Sequence, residues 1–267
     1  MARSQLFEFI DLPWYPSALR DLQTDMLRHG LGPAFVEVAP LIQRTLQRAG
    51  ASRVLDLCSG AGGPWPRLRL ALDGPEAPAS VTLSDRYPNA TRLERLCAES
   101  GGLLEFIAEP VDARAPPVRP AAMRTMFAAF HHFPPAEAQA VLRGARDDGV
   151  AIAVFDVGSA RSDARALIRT ATFLVIAPLV FLLTYWLVTP RLGPLTWPRV
   201  LFTYLIPIVP LVTVWDFAVS AWRAYTLREL QAMVRELATN DYAWEVGERG
   251  TPSMPIFYIL GHPVGDS

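Results

Sequence analysis

Residues 53–68, RVLDLCSGAGGPWPRL, constrain this chain more tightly than any other stretch. An apolar run ends at Asp56, the backbone turns through Gly60, Gly62 and Gly63, and a helix-compatible segment follows. Glycine accepts the left-handed dihedrals of a tight turn and lets backbone come close to a ligand. A strand, a glycine turn and a helix start in that order present backbone N–H groups to a nucleotide-like molecule. The acidic residue sits inside the turn, whereas a dinucleotide fold carries it about 20 residues further on. Cys58-x-Gly60-x-Gly62-Gly63 is not the Gly-x-Gly-x-x-Gly of nicotinamide folds, and Asp56 would crowd a pyrophosphate. A ligand with positive charge suits the turn better.

Around this unit the pattern alternates. Apolar spacing predicts helices over residues 16–29 and 34–48, the second with Phe35, Val38, Leu41, Ile42 and Leu46 near one face. Strands are expected over 53–57, 81–84, 104–107, 125–130 and 151–157, with helices over 64–72, 90–100 and 136–146 between them. Asp73, Gly74 and Pro75 end the first of these by turn chemistry. Late in the chain come a helix over 226–238 and strands over 242–246 and 256–260. Pro252 and Pro255 are expected to keep the last strand from starting earlier. Such alternation implies parallel strands joined by right-handed crossovers, and 267 residues suffice for one such core plus an insertion.

The turn motif, with Asp85 closing the second strand and Asp112 following the third, resembles the class I S-adenosylmethionine-dependent methyltransferases. Their first motif is an acidic residue at the end of the first strand, then Gly-x-Gly-x-Gly; here Cys58 replaces the first glycine. The resemblance covers residues 53–157 and, beyond them, the order of the C-terminal strands. It implies a Rossmann-like α/β fold, a seven-stranded sheet with its last strand antiparallel, and S-adenosyl-L-methionine as cofactor. It also carries cofactor contacts onto Asp56, Cys58, Ser59, Gly60, Ala61 and Gly62 of the turn. Asp85, with Arg86, falls to the ribose hydroxyls, Asp112 and Ala113 to the adenine, and Phe130 follows the fourth strand. Each carboxylate has a structural alternative: Asp56 as a cap of the turn, Asp85 and Asp112 as Asx-turns.

An uncharged run of 20 residues, 170–189, interrupts the alternation, and a second, 200–215, contains Pro207 and Pro210. The first is long enough to cross a hydrocarbon core of about 30 Å. The second is short, and its prolines would kink it or make it re-entrant. A helix pair buried in a soluble protein is the alternative, although so apolar a pair would leave a sticky patch if uncovered. Arg161, Arg165 and Arg169 before the pair, with Arg223 and Arg228 after it, place the α/β part on the cytoplasmic side; only Arg191 and Arg199 lie between. Tyr185, Trp186, Trp197, Trp215 and Trp222 lie near the run ends, where amphipathic rings favour an interface. The expected organisation is an N-terminal helical lid (1–50), the cofactor-binding core (51–160), an inserted hydrophobic hairpin at the membrane (161–222) and the C-terminal completion of the core (223–267). No basic segment leads into an apolar core at the N-terminus, so no signal peptide is expected.

Net charge is near zero with no dense Lys/Arg stripe, which argues against a nucleic-acid partner. The fourth strand leads to Phe133-Pro134-Pro135-Ala136 rather than an Asn/Asp-Pro-Pro-aromatic motif, and no Pro-Cys nucleophile is present. Cys58 and Cys97 suggest no disulfide, and no Cys/His/carboxylate spacing suggests a metal. His131, His132 and Asp156, at the ends of the fourth and fifth strands, fall where acceptors bind in open α/β sheets. A histidine there is either a general base or packing against Phe130 and Phe133; Asp156 is either catalytic or a strand-end cap. Phe7, Phe9, Trp14 and Tyr15 begin a lid, either touching the acceptor or packing. Asp216, in apolar surroundings, is interfacial or functional. The expected activity is methyl transfer to a hydrophobic or membrane-resident small molecule. Modification of a membrane protein and a non-catalytic scaffold are the alternatives, and oligomeric state is left open.

Overall fold

Val54, Leu55 and Leu57, or Met123 and Met126, are apolar on both faces of their strands, the signature of strands covered by helices on either side. The computed structural model describes residues 3, 6–72, 77–118, 122–159, 164–251 and 254–264. Seven strands among them, β1 (Arg53–Leu57), β2 (Ser80–Leu83), β3 (Leu104–Phe106), β4 (Ala122–Phe127), β5 (Ile152–Val157), β6 (Tyr242–Thr251) and β7 (Met254–Pro263), form one sheet. Its order is β3-β2-β1-β4-β5-β7-β6. The pairings from β3 to β5 are parallel, and β7 runs antiparallel to both β5 and β6.

The helices are α1 (Ser17–Leu31), α2 (Ala39–Arg48), α3 (Trp65–Ala71), α4 (Ala90–Glu99), α5 (Pro135–Asp147), α6 (Ala164–Leu192), α7 (Trp197–Val200), α8 (Ile208–Arg223) and α9 (Leu227–Glu236). Local chemistry sets their starts. Asn89 caps α4 by accepting from Arg92 N, and Thr226 with Glu229 forms a capping box on α9. On one side of the sheet Ile42, Trp65, Leu68 and Leu93 pack together; on the other, Val141, Leu142, Leu230 and Met233 do so. Each such fully buried side chain contributes about 1.5–3 kcal/mol.

Three strands depart from the sequence pattern by more than one residue. β4 occupies Ala122–Phe127 rather than 125–130, because Ala128 takes φ +48° and Phe130–His132 coil into a 3-10 turn. β6 runs on to Thr251. β7 begins at Met254 and includes Pro255, whose carbonyl accepts from Gly158 N just past the end of β5. Asp73, Gly74, Pro75, Arg161 and Pro252 lie outside the described residues.

The apolar insertion is not a pair of like helices. Among the described residues one helical stretch, Val175–Leu192, is long and apolar enough to cross a bilayer. The second run breaks at Ile206–Pro207, and the two helical pieces on either side meet at 70°. Pro207 at the break removes an N–H donor, as its position foretells. Both α6 and α8 pack on α1, where Tyr185, Leu192 and Val209 join Leu19, Leu22 and Met26. Tyr185, expected at an interface, is buried and shares a 2.7 Å hydrogen bond with Thr213. Arg199 and Arg223, read from the sequence as topology signals, are also buried: Arg199 donates to Asp25 at 2.7 Å, and Arg223 to Asp11 at 2.8 Å. Asp216 accepts from Phe9 N, Ile10 N and Gln23 Nε2, and so fastens the insertion to the N-terminal turn. The outward face stays apolar, with Val175 82% and Trp197 65% exposed.

Candidate active site

The carboxyl ends of β1, β2 and β4 meet under α1 and enclose a cavity of about 440 Å³, within the usual range for small-ligand sites. Its floor is the turn after β1. Asp56 is 1% exposed and accepts from Ser59 Oγ and from Thr125 Oγ1, each at 2.6 Å. Ser84 Oγ donates to the Asp56 carbonyl, and Ser59 N to the Ser84 carbonyl. Asp56 thereby ties three strand ends together beneath the cavity and does not line it. Burial pushes its carboxyl up to about 6, against the hydrogen bonds from Ser59 and Thr125.

Cys58 replaces a glycine at real cost, since it holds φ +57°, a conformation that disfavours side chains by about 1–2 kcal/mol. Ala128, across the cavity, is the other described non-glycine residue with positive φ. Strained backbone of this kind collects at functional sites. Cys58 also lines the cavity, and burial together with Asp85 raises its thiol, so it stays neutral. Gly62 (φ +96°) lies behind the turn, where a Cβ would come within 2.4 Å of Leu96 Cδ1.

Asp85 follows β2 and faces the cavity. Its Oδ2 accepts from Gly60 N and its Oδ1 from Tyr87 N, both at 2.7 Å, which leaves acceptor capacity on each oxygen. Burial raises its pKa, partly offset by those two backbone donors. Asp112, at the rim, is chelated by Arg114, whose hydrogen bonds hold its carboxyl down at about 2 despite some desolvation. Ser59, Gly60, Ala61, Arg86 and Ala113 also line the space. Phe130 does not; it packs against Tyr225 at 5.5 Å between ring centres.

The acceptor-side residues divide. His131 and Asp156 meet, Nδ1 to Oδ1 at 2.9 Å, and Asp156 also accepts from His131 N, yet neither lines the cavity. His132 does, with Nδ1 2.8 Å from Asp11. Burial works against charge on His132, but Glu8 and Asp11 outweigh it and raise the pKa to about 9. His132 is therefore protonated near neutrality and is not a free base. Phe9 and Tyr15 pack against one another at 6.1 Å, Phe7 packs against Trp215, and Trp14 is exposed; none of the four lines the cavity.

Sequence reasoning missed the roof. Arg20, Thr24, Leu27, Arg28 and Leu31 of α1 all line the cavity, at the i, i+4, i+7, i+8 and i+11 spacing of one helix face. That stripe was present in the sequence but mixes polar and apolar residues, so hydrophobic periodicity passes over it. Arg20 is held by the Ile10 and Leu12 carbonyls, with its guanidinium 4.1 Å from the centre of the Tyr87 ring.

No protein-family model matches this chain, and no curated protein matches it in sequence. Solved structures do share its fold. The S-adenosylmethionine-dependent methyltransferase SibL, in its apo form, aligns at 17% identity and TM-score 0.50 over 86% of this chain and 54% of its own. NcsB1, an O-methyltransferase of neocarzinostatin biosynthesis, was solved with S-adenosylmethionine and 2-hydroxy-5-methyl naphthoic acid. It aligns at 15% identity and TM-score 0.52, covering 90% of this chain and 56% of its own. A Nostoc punctiforme protein named as a candidate O-methyltransferase gives 13% identity and TM-score 0.52 over 97% of this chain and 64% of its own. The chain spans little more than half the length of the first two, and what the three share with it is the methyltransferase fold.

Proposed function

We propose that this chain binds S-adenosyl-L-methionine in the cavity and transfers its methyl group to a small, apolar acceptor drawn from a membrane surface. The observation that carries the proposal is Asp85. A half-buried carboxylate, pinned by two backbone donors, aims its remaining acceptor positions into a cavity floored by a glycine turn. Those positions suit two adjacent hydroxyls, the chain's backbone at Gly60 can approach closely, and Asp112 with Ala113 borders the far rim. Bound S-adenosylmethionine supplies an already activated methyl group on a sulfonium, so the protein's contribution is chiefly positioning.

The acceptor side is walled by Ile10, Leu27, Leu31, Phe35 and Phe133, which excludes water and favours an apolar molecule. His132, protonated and facing this space, stabilises an acceptor that arrives as an oxyanion and does not remove a proton from it. An acidic hydroxyl on an apolar body fits both features. The exposed apolar face of α6, with Val175, Leu179, Leu183, Trp186 and Leu187, rests on the bilayer surface while α8 stays bound to α1. This is shallow, one-sided insertion rather than two crossings, with the α/β part on the cytoplasmic side. The site then samples acceptors concentrated in the lipid.

Incubation with methyl-labelled S-adenosylmethionine and acidic-hydroxyl acceptors of graded lipid partitioning tests this reading. Turnover should rise with partitioning and with added vesicles. Leu179→Ser/Leu183→Ser/Leu187→Ser should cut vesicle binding at least tenfold, a conservative figure against roughly 1.5 kcal/mol or more per buried leucine. Equal turnover on fully water-soluble acceptors, with no binding to vesicles, would overturn the membrane part.

A further inference from the structure

We infer that Glu8, His131 and His132, with Asp11 beside them, form a binding site for a divalent cation of the zinc class. Their ligand atoms converge: His131 Nε2 lies 4.0 Å from Glu8 Oε1, His132 Nδ1 3.8 Å from Glu8 Oε2, and the three groups fall within 4.8 Å of one another. Those separations are too long for hydrogen bonds. They are a few tenths of an ångström wider than the roughly 3.3–3.5 Å edge of a tetrahedron with ligand distances near 2.0–2.2 Å. Asp11 Oδ1, 2.8 Å from His132 Nδ1, holds that nitrogen's proton in a hydrogen bond, and loss of the proton to an entering cation frees both atoms as ligands.

A second observation points the same way. His131 is 6% exposed, and its Nε2 has no hydrogen-bond partner among the described residues. Its other nitrogen is fixed by Asp156 at 2.9 Å. A carboxylate that holds the Nδ1 proton leaves the Nε2 lone pair directed at the Glu8 carboxylate, so two acceptors face each other across a gap. That carboxylate–histidine arrangement is the usual outer support of a metal-bound imidazole. Imidazole nitrogens with carboxylate oxygens select zinc-like ions over magnesium or calcium.

Arg223 reaches Glu8 Oε1 at 3.2 Å and Asp11 Oδ2 at 2.8 Å, which holds both carboxylates in place. A bound cation adds positive charge beside the cavity and clamps the N-terminal segment carrying Glu8 and Asp11 to the turn after β4. Histidine in the sequence gave no metal spacing because Glu8 lies more than a hundred residues from its partners.

The test is a titration of Co²⁺ into chelator-treated full-length chain, followed by visible absorption and melting temperature. One equivalent should bring the intense bands of four-coordinate cobalt and raise the melting point, and Zn²⁺ should displace it. His131→Ala and the isosteric Glu8→Gln should each lose the bands while keeping the parent's far-ultraviolet circular dichroism. Absent bands in the parent, or binding unchanged in a folded variant of either residue, would overturn the site. The readout needs no S-adenosylmethionine, so it stands or falls apart from the proposed activity.

Discussion

Asp85→Ala is expected to weaken S-adenosylmethionine binding by two orders of magnitude or more. The carboxylate would lose two charge-assisted hydrogen bonds to the ligand, worth about 1.5–3 kcal/mol each, and each 1.4 kcal/mol is a factor of ten. The turn also loses its anchor, because Gly60 N and Tyr87 N both donate to Asp85. Asp85→Asn keeps the shape but points an amide N–H₂ at one of those donors, so it should fall between parent and alanine variant. Burial raises the Asp85 pKa, so binding should fade on acidification at a higher pH than an ordinary carboxylate would dictate. Isothermal titration of the three proteins decides; an unchanged alanine variant would remove Asp85 from the site.

The second large effect concerns stability. Asp25 on α1 accepts from Arg199 of α7 at 2.7 Å, and Arg92 Nε lies 3.5 Å away. Both Asp25 and Arg199 are buried. Such a pair adds little compared with apolar packing, but removing one member strands the other charge, at about 3–5 kcal/mol. Asp25→Ala should therefore lower the denaturation midpoint steeply and loosen the insertion from α1. Asp25→Ala/Arg199→Met should recover much of the loss, since the stranded guanidinium is gone. If the single variant melts like the parent, the insertion is not held by this pair.

How much of this was legible in the sequence differs by element. The core was, because strands such as RVLDL and the apolar spacing of Phe35, Val38 and Ile42 state their burial, although the expected helix over 34–48 is a 3-10 turn at Ala34–Val38 followed by α2. β4 was shifted by three residues, since its end depends on the left-handed φ of Ala128, which no residue preference announces. Asp85 and Gly60 were legible as a motif, but that they bond to each other is a fact of the folded turn. Asp56, from the same motif, turned inward to Thr125 of β4, 69 residues away. The insertion was visible as apolar runs, yet its attachment was hidden. Arg199, Arg223 and Asp216 read as flanking or membrane charges until α1 and the N-terminal turn are placed against them. The cluster of Glu8, His131 and His132 was invisible for the same reason. Local chemistry is written locally; ion pairs between distant segments are not.

The most direct measurement is calorimetric titration of S-adenosylmethionine into the purified full-length chain, with S-adenosylhomocysteine as competitor. One site per chain with micromolar affinity, displaced by the competitor, is the predicted result. A folded chain that shows no heat and no thermal stabilisation at millimolar ligand would contradict it, and would leave the methyltransferase fold here without its cofactor.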